Sequence, residues 1–330
     1  MKAITYKRYG PPDVLKLQEV EKPAPKDDEV LIKVHAASVN AADWHLLTAD
    51  IALIRLMGGG LLKPKNATLG ADIAGRVEAV GKNVKQFRSG DEVFGDLSGC
   101  GWGGFAEYAC ARENVLALKP ANIPFEAAAA VPMAAITALQ GLRDKGNIQP
   151  GQKVLIQGAS GGVGTFAVQI AKSFGAEVTG VCSTRNLDMV RSIGADHVID
   201  YTQEDFTQNW QQYNLILAVN GYHPISAYRR SLAPKGIYVM AGGTTAQIFQ
   251  AMLLGPWMSI TGDKKMGGVT AKSDQKDLVI MKEFLEAGKV APVIDRCYPL
   301  SEAAEALRYL GGGHARGKVV ITVVHDNDAQ

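Results

Sequence analysis

The stretch VLIQGASGGVGTFAVQIAK, residues 154–172, constrains this chain more than any other. An apolar run breaks into small residues and glycines, then apolar residues resume. Val163, Phe166, Ala167, Ile170, Ala171 and Phe174 fall at i, i+3, i+4, i+7, i+8 and i+11, one face of a helix over 163–174. Gly175 supplies its stop. The order is therefore strand, tight turn, helix. The turn, Ala159-Ser160-Gly161-Gly162-Val163-Gly164, matches G-x-G-x-x-G with Ala at the first position. Gly161 lets backbone approach a pyrophosphate, Gly164 lets the helix pack close to the strand, and first-turn N–H groups face the anion. Without that context, the same glycines make only a tight turn.

The loop begins a regular alternation. Apolar runs at 153–158, 177–183, 197–200, 214–220 and 236–242 read as strands. Helices are expected at 187–193, 204–212, 224–232 and 246–254, with an Ala-rich helix at 125–142 ahead of the loop. Such alternation implies right-handed βαβ units and a parallel sheet covered on both faces. The first third differs: 2–9, 15–22, 29–39 and 74–80 are short, β-rich and punctuated by Gly and Pro, as in a partly open barrel or sandwich. The insert 48–68 has no clean period and reads as a loop. The tail shows a helix at 274–287, a strand at 293–300, a helix at 302–310 and a strand at 317–324, expected to rejoin the first part. The 330 residues exceed one ordinary core. The expected division is 1–124, 125–264 and 265–330, an α/β chain with a doubly wound sheet domain and a β-rich second domain.

Composition excludes several classes. With a net charge of +2 and basic residues scattered among acids, neither a nucleic-acid groove nor an anionic membrane surface is implied. Apolar runs such as EAAAAVPMAAITAL are too short and Ala-rich to span a bilayer. The opening MKAITYKRYG has no apolar leader segment, so a secretory route is not expected. Cys100, Cys110, Cys182 and Cys297 form no CxxC pair and read as free thiols of a reducing cytoplasm.

The second strand of the alternation ends in GVCSTRN. A fold that binds NAD usually offers an acid there to the adenosine ribose; here Cys182 takes the place, followed by Ser183, Thr184 and Arg185. Two hydroxyls and a guanidinium suit a 2′-phosphate, so NADP(H) is the expected cofactor. The alternative is that Arg185 is only a solvated helix-start residue.

Residues 70–95, GADIAGRVEAVGKNVKQFRSGDEVFG, together with VLIKVHAASVNAADW and GASGGVG, resemble the medium-chain dehydrogenase/reductase superfamily, and its zinc-independent quinone oxidoreductase group in particular. The resemblance covers essentially the whole chain. It implies a GroES-like catalytic domain at both chain ends, a Rossmann domain between them and a cofactor in the cleft. Zinc-dependent relatives carry a Cys and a His-Glu pair where this chain has Asn40, Ala71 and Asp72. Their structural-zinc lobe has four close cysteines where only Cys100 and Cys110 lie nearby. No zinc is expected. Without a Lewis acid for an alkoxide, the easier task is reduction of an acceptor that is already electrophilic.

The expected activity is hydride transfer from NADPH to a quinone or an α,β-unsaturated carbonyl. An enoyl-thioester or aldehyde reductase, or a non-catalytic NADPH-binding sensor, is the alternative. By resemblance Asn40 faces the nicotinamide, or else caps a loop. Asp43 bonds backbone or a neighbouring cation, and His45 is the candidate proton donor or a surface residue. Thr137, beside Pro132, lines the nicotinamide pocket. Tyr201 ends the third strand, Asn220 and Gly221 the fourth, Gly242 and Gly243 the fifth, all at carboxyl ends where such sheets bind ligands. Arg316 approaches the cofactor from the tail, and Trp44, Trp102 and residues 51–62 shape the acceptor pocket. A homodimer is expected from WMSITG, 257–262, read as a strand free to pair across a two-fold axis.

Overall fold

The computed structural model describes residues 1–50, 60, 63–243, 250, 255, 258–260 and 262–324. Most of the expected helix at 246–254 and most of the 51–62 segment lie outside the described residues. The chain divides into two compact units: 1–133 with 273–287 and 294–330, and 134–272 with 288–293.

In the first unit, β1 (Lys2–Thr5) and β2 (Lys16–Glu19) form an antiparallel ribbon. The long strand β3 (Glu29–Val39) leads into α1 (Ala41–Thr48), then β4 (Asp72–Val80), β5 (Glu92–Asp96), β6 (Tyr108–Arg112) and β7 (Leu116–Leu118). The sequence reading missed α1 and β5 to β7. In the helix the cause is plain: AADWHLLT carries no apolar stripe, because Asp43 points inward with Leu47. A short helix, α2 (Phe125–Ala129), completes this segment.

The expected helix over 125–142 is broken. Pro132 cannot donate a backbone hydrogen bond, and α3 (Pro132–Gln140) starts afresh at it. A wide turn follows, with Gly146 N–H donating to Gly141 O. The break also moves the unit boundary from residue 124 to Met133, because α2 packs on β3 and β4 of the first unit.

The second unit holds β8 (Lys153–Gln157), α4 (Gly162–Ser173), β9 (Glu177–Cys182), α5 (Leu187–Ser192), β10 (His197–Asp200), β11 (Tyr213–Ala218), α6 (Ile225–Ser231), β12 (Leu232–Met240) and β13 (Lys265–Gly268). Its six strands are all parallel, in the order β10-β9-β8-β11-β12-β13. The direction of winding reverses beside β8, so the carboxyl end of β8 is the switch point where such sheets bind ligands. The α/β expectation, with a doubly wound parallel sheet, holds.

Two expectations fail here, one helical and one of a strand. Residues 204–212 form turns, because side chains capture the backbone: Asp205 Oδ1 accepts from Thr207 N–H at 2.8 Å and Asn209 Oδ1 from Gln211 N–H at 3.1 Å. Residues 258–260, expected within a strand, are helical. That removes the edge strand on which the dimer expectation rested. Helix α4 is buried more widely than its stripe predicts. Phe166, Ala167, Ile170 and Ala171 are inaccessible, and so are Thr165 and Val168. Its outer side is covered through Gln169, whose amide exchanges hydrogen bonds with Ala291 N–H and Ala291 O. Burying a side chain such as Phe166 contributes about 2–3 kcal/mol.

The tail returns to the first unit in two pieces. Helix α7 (Gln275–Glu286) comes first; after residues 288–293, which belong to the second unit, follow β14 (Ile294–Pro299), α8 (Ala303–Gly311) and β15 (Lys318–Thr322). The sheet of the first unit runs β14-β15-β3-β4-β5-β7, with β6 also on β3. Val319 pairs with Val39 and Ile321 with Ala37, so the last strand lies along the end of β3. Among the described residues no helix is long and apolar enough to cross a membrane.

Candidate functional site

The glycine loop sits at the switch point of the six-stranded sheet. Gly158, directly after β8, has φ +81°, and a Cβ there would meet Asn220 N at 2.9 Å. It makes the turn that the sequence reading gave to Ala159. Ala159 itself is buried, and a Cβ added to Gly180 would lie 3.1 Å from its own Cβ. The operative spacing is therefore Gly158, Gly161, Gly164. A Cβ on Gly164 would lie 2.0 Å from Gly158 O, so close packing of helix on turn demands glycine. One on Gly161 would find its nearest neighbour at 3.6 Å, so protein packing does not demand glycine there. Gly161 is the N-cap of α4 and offers no side-chain cap, which leaves the first-turn N–H groups for an anion. Ser160, Gly162 and Val163 are half-buried around it.

At the end of β9 the structure sorts the three expected 2′-phosphate residues. Thr184 Oγ1 donates to Asp200 Oδ2 at 2.5 Å and is committed to it. Asp200, at the end of β10, also accepts from Thr202 N–H and Thr202 Oγ1, and these bonds, Thr184's foremost, hold its carboxyl below the usual range. The site therefore does contain a carboxylate. It comes from the neighbouring strand, where reading β9 alone could not find it. Arg185 is exposed, and Tyr201 is 60% exposed with its N–H donating to Cys182 O at 3.1 Å. A residue the sequence reading overlooked, Asn186, is buried and donates from Nδ2 to both Ser160 Oγ and Ser183 Oγ, each at 3.1 Å.

Past the switch point, Asn220 Oδ1 accepts from Gly221 N–H at 2.9 Å. Gly221 (φ +99°) lies against Gln157, whose Oε1 accepts from Tyr228 OH at 2.5 Å. Gly242 sits over Val219 O, where a Cβ would come within 2.5 Å; Gly243 follows at φ +124°. These residues line the carboxyl ends of β11 and β12. Thr137 is buried in α3 of the same unit.

The first unit holds a different centre. Lys318 Nζ, 3% exposed at its side chain, donates to Asn40 Oδ1 at 2.5 Å and stands 3.5 Å from Asp72 Oδ2. Asn40 Nδ2 donates to Asp72 Oδ2 at 2.9 Å, as does Ser38 Oγ, while Asp72 Oδ1 accepts from Met133 N–H. Asp43 accepts from Asn40 N–H and Gly70 N–H. Burial pushes Asp43 up to about 7 and Asp96 up to about 6, with Asp72's charge adding in both cases. Burial also pulls the Lys318 ammonium down, and Asp72 and Asp43 draw it back. Both ends of the Asn40 amide are thus spent inside the protein. Asn40 and Asp43 both help to build this centre, Asp43 through the backbone bonds expected of it. Lys318 was missed because its partners lie some 246 to 278 positions away.

The remaining candidates of the first unit make local contacts. His45 Nδ1 pairs with Asp50 at 2.9 Å on the surface. Arg316 is exposed, its N–H on Asp295 Oδ2. Trp44 packs into the core of the first unit, where Gly311 leaves room for its ring. Trp102 holds φ +68° beside Gly103.

The residues present do not suit zinc. The positions that would coordinate it supply an amide and one carboxylate but no thiolate or imidazole, and the carboxylate already receives the Lys318 ammonium. Among the described residues no group of His, Cys, Asp and Glu is arranged for a metal ion.

Comparison with known proteins bears on both units. Residues 26–121 match the alcohol dehydrogenase GroES-like domain family, and 193–321 match the family described as zinc-binding dehydrogenase. The quinone-oxidoreductase homolog of Spinacia oleracea chloroplasts is 35% identical over 97% of this chain and 98% of its own. The chloroplastic NADPH-dependent alkenal/one oxidoreductase of Arabidopsis thaliana is 35% identical over 97% of this chain and 79% of its own. Among solved structures, the quinone oxidoreductase from Coxiella burnetii superposes with a TM-score of 0.87 at 30% identity, covering 98% of this chain and 99% of that one.

Proposed function

The chain belongs to the medium-chain dehydrogenase/reductase superfamily, in its quinone oxidoreductase branch, and from that premise we propose a metal-free, NADPH-dependent reductase of quinones or α,β-unsaturated carbonyls. The glycine turn carries this reading: Gly158 turns the chain, Gly164 brings α4 onto the turn and Gly161 leaves open backbone where a pyrophosphate would lie. When bound, the dihydronicotinamide supplies a hydride to the electrophilic acceptor. The first-turn N–H groups of α4 hold the pyrophosphate; Ser183 and Arg185 meet the 2′-phosphate; the ends of β11 and β12, with Gly221 and Gly242, keep side chains out of the cofactor's path. Thr137 orients the nicotinamide. The proton completing the two-electron reduction is assigned to solvent rather than to His45, which Asp50 holds on the surface.

The four cysteines, all free, support a reducing compartment, which we take to be the cytoplasm. A homodimer stays open to test by light scattering at micromolar protein, since the helical 258–260 segment offers no edge strand to build it.

The deciding experiment is cofactor oxidation by chelator-treated protein, with NADPH and NADH side by side, against simple quinones, enals and enones. Turnover with NADPH is expected to survive chelation and to exceed turnover with NADH. Equal use of both cofactors removes the 2′-phosphate assignment. NADPH binding without turnover on any acceptor returns the chain to a non-catalytic role.

A further inference from the structure

We propose that Asn186 sets the cofactor preference, by fixing Ser160 and Ser183 as two hydroxyl donors for the 2′-phosphate. The inference rests on the NADPH reading above and names the residue that enforces it.

Asn186 is 4% exposed and closes the turn after β9, its N–H donating to Ser183 O at 2.9 Å. Its Nδ2 gives one proton to Ser160 Oγ and the other to Ser183 Oγ, both at 3.1 Å. One amide thereby fastens the glycine loop to the end of the next strand. A hydroxyl has one proton and two lone pairs, so a serine that accepts from the amide keeps its own proton to give. Among the described residues, neither serine donates that proton to a protein acceptor. Two such donors, beside the open N–H groups of α4, suit a ligand group made of acceptor oxygens. A phosphate fits that description, and its charge strengthens each bond. The other residues expected here contribute less geometry. Thr184 is turned to Asp200, and Arg185 is exposed and brings charge.

The second observation is at the far end of the same amide. Asn186 Oδ1 is buried and has no hydrogen-bond partner. A buried acceptor left without a donor is costly and uncommon, and a donor from water, an ion or a ligand would complete it. The 3′-hydroxyl of the ribose that carries the 2′-phosphate is a donor of the right kind. Asn186 then reads both substituents of one sugar: the phosphate through the serines, the hydroxyl directly.

Aspartate at this position has the same shape and the opposite hydrogen-bonding sense. It would take the two serine protons, turn both hydroxyls into acceptors toward the phosphate and add a negative charge. The test is binding of 2′,5′-ADP and of 5′-AMP to the wild-type protein and to Asn186→Asp, with melting temperature measured alongside. Wild type is expected to favour 2′,5′-ADP by about tenfold or more, the scale of charge-assisted hydrogen bonds. Asn186→Asp is expected to lose that preference while holding 5′-AMP within about threefold, since only the phosphate contacts invert. Adding Ser183→Ala to Asn186→Asp is expected to cost nothing further, because the amide acts through the serine. If Asn186→Asp does not fold, Asn186→Ala, which releases both serines and removes Oδ1, is expected to weaken 2′,5′-ADP more than 5′-AMP, and an equal loss of both overturns the inference. A wild type with no preference defeats the NADPH reading itself. A wild type that prefers 2′,5′-ADP, with Asn186 variants that keep the preference, leaves that reading standing and overturns this inference.

Discussion

Lys318 Nζ donates to Asn40 Oδ1 at 2.5 Å, with both residues buried and 278 positions apart in the chain. The ammonium is the cation that balances Asp72 in a place where water does not reach. Removing it by Lys318→Met leaves Asp72 with an uncompensated charge, and breaking a buried pair in this way costs about 3–5 kcal/mol. Urea denaturation is expected to show a loss of that size. Lys318→Met combined with Asp72→Asn is expected to lose less than the sum of the two single changes.

Asp43 gives the first unit a pH dependence of definite sign. Its carboxyl is raised from 3.8 to about 7, chiefly by burial, so the folded chain binds a proton that the unfolded chain releases. Stability from this group is full below the unfolded value and drains away as pH rises through about 7. Asp96, raised to about 6, adds to the same slope. Melting curves between pH 4 and pH 8 are expected to fall across this window, by roughly the linkage slope of one proton or more. Asn at position 43 is expected to flatten the fall while lowering stability by about 1–3 kcal/mol, since one of its two N–H partners loses an acceptor. A fall of undiminished steepness in Asp43→Asn would place the titration elsewhere.

The two glycines of the phosphate turn separate binding from folding. Gly161→Ala puts a methyl where the protein leaves 3.6 Å, so the melting temperature is expected to stay within about 2 °C of wild type. NADPH affinity is expected to drop about tenfold or more, because the methyl stands where the pyrophosphate approaches. Gly164→Ala forces a methyl to 2.0 Å from Gly158 O and is expected to lower stability and binding together. Calorimetric titration with thermal melting on both variants makes the comparison.

Asp200 opposes an anion beside Ser183. Replacing it by Asn keeps an acceptor for Thr184 Oγ1 and removes the charge. The ratio of NADPH to NADH affinity is expected to rise about three- to tenfold, with most of the gain gone at high salt. An unchanged ratio would show that the carboxylate lies beyond the reach of the 2′ position.

What could be read from the sequence was what is decided locally. The glycine turn and the strands around it are set by backbone conformation and by runs of apolar residues, and both are written in neighbouring positions. Even there, the turn glycine is Gly158, one place ahead of the pattern match, because the match scores spacing while φ is set by the strand's exit. The helix expected at 204–212 failed where Asp205 and Asn209 capture the backbone, a competition that period counting ignores. The carboxylate at the ribose end comes from Asp200 on an adjacent strand, and the cation beside Asn40 comes from the final strand. Neither leaves a mark in the segment it serves. Asn186 was in plain view, but its worth depends on two serines lying within reach of one amide.

The placement of β15 has a consequence for how the chain is made. Strand β3, finished by residue 39, has a partner along 36–39 that is not synthesised until 319–322. The six-stranded unit has all its strands by residue 268, so on the ribosome it can close first. Until then the earlier-made unit carries an unpaired strand edge and a cluster of acids lacking their lysine. Its completion waits for residues 319–322, and pairing across some 280 residues is a slow kind of closure. Damage at residue 318 or beyond is therefore a lesion of the amino-terminal half, felt some 280 residues upstream of where it is written.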